Sequence, residues 1–267
     1  MKGLPNYGNY CFLNTAVQQL YDMKNFREKI LALDTEDKNS PLYHDTKTYR
    51  QLISLRKLFK FLDGQCNLGS NEINLLMKDL GYKEEQDDSA EIRDALLKNM
   101  KLLFKKLKGK ELKPTSLANI INVTFQSGKE IDAFIEKLCD ETLKELGSIL
   151  TVHLRNECMI VNIRRANALA PLIKISPRLE LGKLVADRKV RVINHKNSVD
   201  SPNFYIKNAA IYMPGDNTGA FGHYFNIKYN GSNNWAMLND ENVREGLHWK
   251  EIEVYMRYAT SIIYELV

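Results

Sequence analysis

The stretch Gly3–Leu20, GLPNYGNYCFLNTAVQQL, carries the pattern that decides how this chain begins to fold. A loop rich in Gly and Asn runs into Cys11, and an amphipathic helix is predicted to start there. One apolar face recurs at helical spacing and comprises Phe12, Leu13, Ala16, Val17, Leu20 and Tyr21. The pattern therefore puts Cys11 at or near a helix N-terminus, where the helix dipole and unpaired backbone N–H groups favour a thiolate.

Cys11 has two interpretations. A cysteine in apolar surroundings is most often a small buried hydrophobic side chain. The residues around it favour a second interpretation, a tight loop that exposes the thiol as a nucleophile. Those residues are Gly3, Asn6, Gly8, Asn9 and Asn14. Asn6 also offers an amide donor that could help to stabilise an oxyanion.

A nucleophilic cysteine needs a base, and among the five histidines only His223 has suggestive neighbours. A strand is predicted over 222–229 from its alternation, and Asn230-Gly231 after it is typical of a hairpin turn. A lone histidine in a strand is more often structural, so its role depends on what the hairpin brings beside it. The other histidines are His44, His153, His195 and His248.

The predicted return strand of this hairpin, 235–238, ends at Asn239 and Asp240. Either side chain would then lie beside His223. An amide or a carboxylate in that place would hold the imidazole in the orientation and tautomer needed to serve Cys11. The sequence therefore predicts a catalytic group built from the two ends of the chain.

Three motifs together resemble those of the ubiquitin-specific proteases. The N-terminal stretch resembles the family's Cys box, GLxNxGNTCYxNxxLQxL, and departs from it mainly with Tyr10 in place of Thr and Phe12 in place of Tyr. The segment that starts at Gly222 resembles the His box, and residues 86–97, QDDSAEIRDALL, resemble the QQDAQEF helix start. The motifs also occur in the family's order, which makes the match specific.

The resemblance implies a deubiquitinating cysteine isopeptidase that cleaves after the C-terminal glycine of ubiquitin through a thioester intermediate on Cys11. By position, His223 matches the general base and Asn239 the third member of the triad. Asp240 matches the neighbouring acidic residue, and Asn6 matches the residue that stabilises the oxyanion. The implied partners are ubiquitin and ubiquitin-conjugated proteins.

The resemblance also implies substrate contacts on either side of the histidine, at Gly222 and Tyr224. The family's aromatic residue after the histidine narrows the channel so that only glycine-like residues pass. An alternative is equally open, in which Tyr224 is an ordinary strand aromatic that packs into the core.

The acidic run 83–91 is, by itself, typical of a solvated helix start, where the helix dipole stabilises negative charges. Ubiquitin's tail is basic, however, and a carboxylate near the cleft could pair with its arginines. The resemblance assigns this role to Asp88, with Gln86, Asp87 and Glu91 as weaker candidates.

The periodicity predicts helices first and strands later, which indicates an α+β fold. The predicted helices are 11–21, 48–62, 71–80, 89–104 and about 130–147. The predicted strands are 120–125, 159–164, 189–193, 204–213, 222–229 and 261–266. The resemblance implies a papain-like cysteine peptidase fold, with a helical thumb over about 1–117 and an antiparallel β palm over about 118–267.

Many family members carry zinc-binding fingers with two C-x-x-C pairs, and this chain has no C-x-x-C. Cys139 and Cys158, with His153 between them, are better explained as buried cysteines than as a zinc site. A helix is also predicted where fingers are expected. We therefore predict a minimal form with reduced or rebuilt fingers, without a metal or an organic cofactor.

The composition sets wider limits. The chain has 267 residues, 44% of them hydrophobic, and shows no linker or repeat, so a single catalytic domain over 1–267 is predicted. No apolar run approaches the roughly 18 residues of a membrane span, and no signal-peptide core is apparent, so membrane insertion is not expected. The formal net charge of +5 does not indicate nucleic-acid binding, because the lysines are spread along predicted helices without a recognised motif.

Four scattered cysteines do not indicate a disulfide framework, so a reducing, cytoplasmic compartment is expected. Richness in Asn, Lys and Ile suggests an AT-rich genome and a viral or bacterial protein inside a host cell. Two alternatives for the function stay open. One is a protease for another ubiquitin-like modifier, and the other is a ubiquitin-binding module without turnover.

Overall fold

The computed structural model describes most of the chain. The described residues are 1–33, 46–82, 87–107, 119–125, 144–146, 149–153, 158–165, 175, 177–180, 189–193, 198–200, 203–215 and 222–266. The chain divides into two compact units. The first comprises Met1–Leu117, His223–Asn226 and Met237–Arg244, and the second comprises Ala118–Gly222, Ile227–Ala236 and Glu245–Val267. That the chain forms one catalytic domain with a thumb and a palm stays a prediction.

The first unit contains five helices in its described part. They are α1 (Cys11–Asp22), α2 (Lys24–Ala32), α3 (Thr46–Leu62), α4 (Ser70–Leu80) and α5 (Ser89–Leu107). The four helices predicted in this region are confirmed. The sequence did not predict α2, because only Phe26 and Ile30 of its nine residues are buried and two apolar positions make a weak period.

Helix α1 is buried on all sides, since every residue from Cys11 to Leu20 is buried. Helices α2, α3 and α5 pack around it. The predicted single apolar face is therefore too narrow a description. The buried polar side chains of α1 need internal partners, because an unpaired polar group away from water is costly. They are Asn14, Thr15, Gln18, Gln19 and Asp22.

A fully buried arginine, Arg93 of α5, supplies one such partner. Its Nη1 donates to Gln19 Oε1 at 2.6 Å, while its Nε and Nη2 donate to Asp94 Oδ1 at 3.0 and 2.7 Å. Burial lowers the pKa of Arg93, and the adjacent Asp94 opposes that effect. The guanidinium therefore joins α5 to α1 through a charge that is paired within the core.

The strands that the structure describes begin at Asn119 and form two sheets. They are β1 (Asn119–Phe125), β2 (Lys144–Leu146), β3 (Ile149–His153), β4 (Cys158–Arg165), β5 (Arg178–Glu180), β6 (Lys189–Ile193), β7 (Ser198–Asp200), β8 (Asn203–Pro214), β9 (Gly222–Gly231), β10 (Asn234–Asn239), β11 (Asn242–Leu247) and β12 (Ala259–Leu266). A helix, α6 (Trp249–Met256), precedes β12 and packs on β8.

The larger sheet has eight strands in the order β1-β4-β12-β8-β9-β10-β11, with β5 paired to β8 outside this order. Strand β12 pairs antiparallel with β4 and β8, and β1 pairs parallel with β4. The interior faces of β8 and β12 carry fully buried apolar side chains such as Phe204, Ile206 and Ile262. The prediction of an α+β fold with a largely antiparallel palm is confirmed.

A separate four-stranded sheet has the order β2-β3-β6-β7. Strand β2 covers Lys144–Leu146, so the predicted helix over 130–147 is wrong there, and residues 126–143 lie outside the described part. Lys, Glu and Leu favour helices intrinsically, but pairing with β3 makes this segment a strand. That the fingers are reduced or rebuilt stays a prediction.

The hairpin of β9 and β10 forms as predicted but turns two residues later. The turn lies at Ser232 and Asn233, whose φ angles of 51° and 60° are both positive, as in a type I′ turn. The predicted turn residues, Asn230 and Gly231, instead extend β9. In the described segments, no helix is long and apolar enough to span a bilayer.

Candidate active site

Cys11 is the first residue of α1, as predicted, and is buried. The chain enters the helix through Asn9, whose φ of 54° is in the left-handed region that Asn tolerates. Tyr10 at the N-cap makes no side-chain capping bond. The first backbone N–H groups of α1 are therefore not capped by that side chain, and such groups can bind a developing negative charge.

His223 contacts two of the predicted site residues. Its side chain hydrogen-bonds to Cys11. Its Nε2 lies 2.5 Å from Asn239 Oδ1. Because a carbonyl oxygen only accepts, Nε2 carries the hydrogen, which leaves Nδ1 for the thiol. The hairpin therefore brings back Asn239 to orient the ring.

The protonated form of His223 is stabilised. The hydrogen bond to Cys11, opposed by partial burial and supported by the bond to Asn239, raises the pKa of His223 from 6.5 to about 9. The negative charges of Cys11 and Asp240 contribute to the rise. A histidine that keeps its proton at neutral pH beside a thiol is the arrangement that supports a thiolate nucleophile.

Asp240 is nearby but makes different contacts. Its Oδ2 is 3.9 Å from His223 Nε2, too far for a hydrogen bond, and accepts a hydrogen bond from Asn6 Nδ2 at 2.9 Å. Its Oδ1 accepts from Asn14 Nδ2 at 2.8 Å. The choice that the sequence left open therefore resolves into two roles: Asn239 contacts the imidazole, and Asp240 holds two asparagines.

Asn6 is oriented from both ends of its amide. Its Oδ1 accepts from the backbone N–H of Tyr10 at 2.7 Å and of Gly8 at 3.4 Å, and its Nδ2 donates to Asp240. Nδ2 carries two hydrogens, so one remains that could reach an oxyanion. The amide is thus fixed in place just upstream of Cys11.

The histidine strand is anchored to α1 by Asn226. Its Nδ2 donates to the carbonyl oxygen of Thr15 at 3.3 Å. Phe225 stacks beside the imidazole, with ring centroids 6.4 Å apart and planes inclined by 24°. These contacts help to keep His223 at a constant distance from Cys11.

Two glycines of the motifs have no room for a side chain. A Cβ on Gly3 would lie 2.1 Å from the carbonyl oxygen of Asp240. A Cβ on Gly222 would lie 2.5 Å from the ring of Tyr212 and 2.6 Å from the carbonyl oxygen of Met213. Gly222 therefore has a steric reason for its identity. Tyr224 is buried, as in the alternative of a core aromatic, and its role towards substrate stays a prediction.

The acidic candidates lie at the start of α5, and the bonds described for two of them are local. Asp88 Oδ1 accepts from the backbone N–H of Ala90 at 2.7 Å and of Glu91 at 3.3 Å, so Asp88 caps the helix. Asp87 Oδ1 accepts from the N–H of Asp88. Glu91 is exposed in the first turn, and Gln86 lies outside the described residues. Their role in binding a basic tail stays a prediction.

No group of three metal-ligating side chains occurs in the parts of the chain that are described. Cys158 is buried in β4, His153 ends β3, and Cys139 lies outside the described residues. That the chemistry needs no metal stays a prediction.

Asn14 is the residue at this site that the sequence did not single out for a role. The sequence included it among residues that suit a loop, whereas it lies inside α1 with its amide on Asp240. Its signal was the Asn that the Cys-box pattern places three residues after the cysteine. That signal does not reveal a partner far away in the sequence.

Comparison with known proteins shows the family and the fold of the chain. A family model described as ubiquitin carboxyl-terminal hydrolase matches residues 2–256. Ubp8, in the SAGA DUB module with Sgf11, Sus1 and Sgf73, has a similar fold: the TM-score is 0.66 at 13% identity, over 100% of this chain and 68% of that chain. No curated protein matches the sequence. The structural likeness supports the fold, and the family match supports the predicted relationship: the chain belongs to the ubiquitin carboxyl-terminal hydrolase family and is a ubiquitin hydrolase of the cysteine protease type.

Proposed function

We propose that the protein is a deubiquitinating isopeptidase in which Cys11 attacks the carbonyl carbon of ubiquitin's C-terminal glycine. The observation that carries the proposal is the linked set of Cys11, His223 and Asn239, with a thiol at a helix start, a protonated imidazole beside it and an amide behind the ring. This is the arrangement of a nucleophile, its proton carrier and an orienting group.

The proposed reaction has two steps. The Cys11 thiolate forms a bond to the glycine carbonyl carbon, and the negative charge moves to the oxygen, where the Asn6 amide and the first N–H groups of α1 can stabilise it. The bond to the lysine nitrogen then breaks as His223 gives that nitrogen its proton. Water then gives a proton to neutral His223 while its oxygen bonds to the thioester carbonyl carbon. The carbon–sulfur bond breaks, which releases the carboxyl group of ubiquitin and restores the Cys11 thiolate beside a protonated His223.

We propose substrate contacts at two further places, beside His223 and at the start of α5. Tyr224 and Gly222 would pass only a glycine-like tail, and the carboxylates of Asp87, Asp88 and Glu91, with Gln86, would meet the basic residues that precede it. The chemistry also needs a reduced thiol, so we propose that the protein works in a reducing compartment.

The test is hydrolysis of a fluorogenic ubiquitin C-terminal amide by the wild type, by Cys11→Ala and by Cys66→Ala. Cys66 is a matched control because it is a half-exposed cysteine of the same unit, with its Sγ 3.9 Å from the Lys57 carbonyl oxygen. We expect turnover to vanish with Cys11→Ala and to persist with Cys66→Ala. Turnover that survives Cys11→Ala would contradict the proposal.

The same experiment separates the alternatives. If the folded wild type does not hydrolyse the ubiquitin amide, amides of ubiquitin-like modifiers take its place, and turnover of one of them identifies a protease for that modifier. If none is cleaved but ubiquitin binds to the wild type, the protein is a binding module without turnover.

A further inference from the structure

The side chain of Asn14 makes three contacts from inside α1. It is buried, with 3% of the residue exposed. Its Nδ2 donates to Asp240 Oδ1 at 2.8 Å and lies 3.2 and 3.4 Å from the carbonyl oxygens of Leu4 and Pro5. One amide nitrogen thus contacts both the segment that leads to Asn6 and the turn that follows β10.

The orientation of this amide is set by Asp240. Asn14 Oδ1 is buried and finds no hydrogen-bond partner among the described residues. Turning the amide over would place Oδ1 against a carboxylate and two carbonyl oxygens, all of them acceptors. A buried acceptor without a partner costs free energy, so the contacts of Nδ2 must offset that cost.

The carboxylate of Asp240, which Asn14 and Asn6 hold, also lies near a competing partner, His223. Asp240 Oδ2 bonds to Asn6 Nδ2 at 2.9 Å and lies 3.9 Å from the protonated imidazole of His223. A carboxylate binds a cation more strongly than a neutral amide. Without Asn14 on its other oxygen, Asp240 would turn towards His223, and Asn6 would lose the group that fixes its Nδ2.

We propose that Asn14 is a positioning residue, which holds the Asp240 carboxylate on Asn6 and away from His223 and so directs the Asn6 amide towards the scissile carbonyl oxygen. The inference rests on the proposed function, because it concerns the oxyanion of that reaction. Asn14 acts through Asp240 and Asn6 and need not contact the substrate.

The first test compares Asn14→Ala with Gln18→Ala by measuring kcat and KM for the ubiquitin amide. Gln18 is a matched control, since it is buried one turn later in α1 and donates to the carbonyl oxygen of Lys2 at 3.3 Å. Because oxyanion contacts form in the transition state, Asn14→Ala should lower kcat about 10- to 100-fold with KM unchanged. Gln18→Ala should keep kcat.

The same substitution in an Asn6→Ala background distinguishes positioning from a merely structural role. If Asn14 acts through Asn6, its loss should cost little further kcat once Asn6 is gone. An equal loss of kcat in both backgrounds overturns the proposal. If Asn14→Ala does not fold, Asn14→Ser serves the same purpose, because its hydroxyl is too short to reach Asp240.

A second readout needs no turnover. Cys11 and Asp240 are the titratable groups whose charges act on His223. When Asp240 turns towards the imidazole, the pKa of His223 should rise above its wild-type value, which an NMR titration of Asn14→Ala measures. An unchanged or lower value overturns the proposal. If the wild type fails to hydrolyse ubiquitin amides, the proposed function fails, and this titration alone decides on Asn14.

Discussion

The nucleophile and the base of this site are held in different ways. Cys11 starts a helix that is buried on all sides, so its position is fixed by packing and by internal partners such as Arg93. The side chain of His223 is 40% exposed and is held by hydrogen bonds to Cys11 and Asn239. Changes around the helix should therefore appear in stability, and changes around the hairpin should appear in pH dependence.

We call α1 with Cys11 the helix half of the site, and the β9–β10 hairpin with His223 the hairpin half. The largest effect is expected from a substitution at the contact between Cys11 and His223, where these halves meet. Cys11→Ala removes the group that contributes most to the raised pKa of His223, so this pKa should fall well below about 9, because partial burial then opposes the remaining bond to Asn239 and the charge of Asp240. An NMR titration of the imidazole measures the change. A pKa that stays near 9 would contradict the contact between the two side chains, and Cys66→Ala is the control.

The raised pKa of His223 in the wild type also predicts how the free energy of unfolding depends on pH. The folded-state pKa of His223 is raised above the unfolded value of about 6.5, so its protonation contributes stability that is complete below about pH 6.5. That contribution is lost as the pH rises through about 9. Urea unfolding measures the free energy of unfolding of the wild type and of Cys11→Ala at pH 6 and pH 10. The difference between the two proteins should be larger at pH 6.

Asn239→Ala tests the hairpin half. Losing the bond that orients the ring should reduce kcat/KM about 10- to 100-fold, as for other groups that orient a catalytic histidine. The bond also raises the pKa of His223, so the alkaline fall in activity, expected near pH 9 in the wild type, should move to lower pH. If kcat/KM of Asn239→Ala falls at the same alkaline pH as in the wild type, Asn239 does not contribute to the raised pKa of His223.

Gln19→Leu tests the helix half. It removes the acceptor of Arg93 Nη1 in the core, which should lower the free energy of unfolding by about 1–3 kcal/mol. Activity well below the melting temperature should persist, because Cys11 and His223 keep their contacts. Urea unfolding measures the change, and Lys101→Leu, at an exposed position of α5, should stay within about 0.5 kcal/mol of the wild type.

The smallest effect is expected at the start of α5, outside both halves. Asp88→Ala removes a helix cap and should cost about 1 kcal/mol, whereas Asp88→Asn keeps a capping oxygen and should cost almost nothing. If Asp88 also binds a basic tail, both variants should raise KM for the ubiquitin amide. Unchanged KM values would show that Asp88 caps the helix and does not bind the tail.

Much of the site could be predicted because its residues lie in motifs with local signals. Cys11 follows a loop of Gly and Asn, and His223 and Asn239 lie side by side at the open end of one hairpin. The role of Asn14 could not be predicted, since its partner Asp240 comes from another part of the chain. Its place in the Cys-box pattern marks the residue but does not reveal that partner.

The fold was predictable to a similar extent. Helices and strands with several periods of apolar residues were predicted close to their observed bounds. The short strand β2 was not, because its three residues favour a helix and only pairing with β3 overrides that preference. The turn of the histidine hairpin was misplaced because Ser232 and Asn233 adopt positive φ angles although a glycine stands just before them.

The burial of α1 on every side has a consequence for how the enzyme loses activity. A helix enclosed by its neighbours cannot open turn by turn, so its amide hydrogens should exchange with solvent only when the whole cooperative unit unfolds. The nucleophile would then be as durable as the unit itself. Inactivation by denaturant and the loss of helical signal should follow one curve, whereas the exposed turn of the histidine hairpin, at Ser232 and Asn233, can exchange earlier.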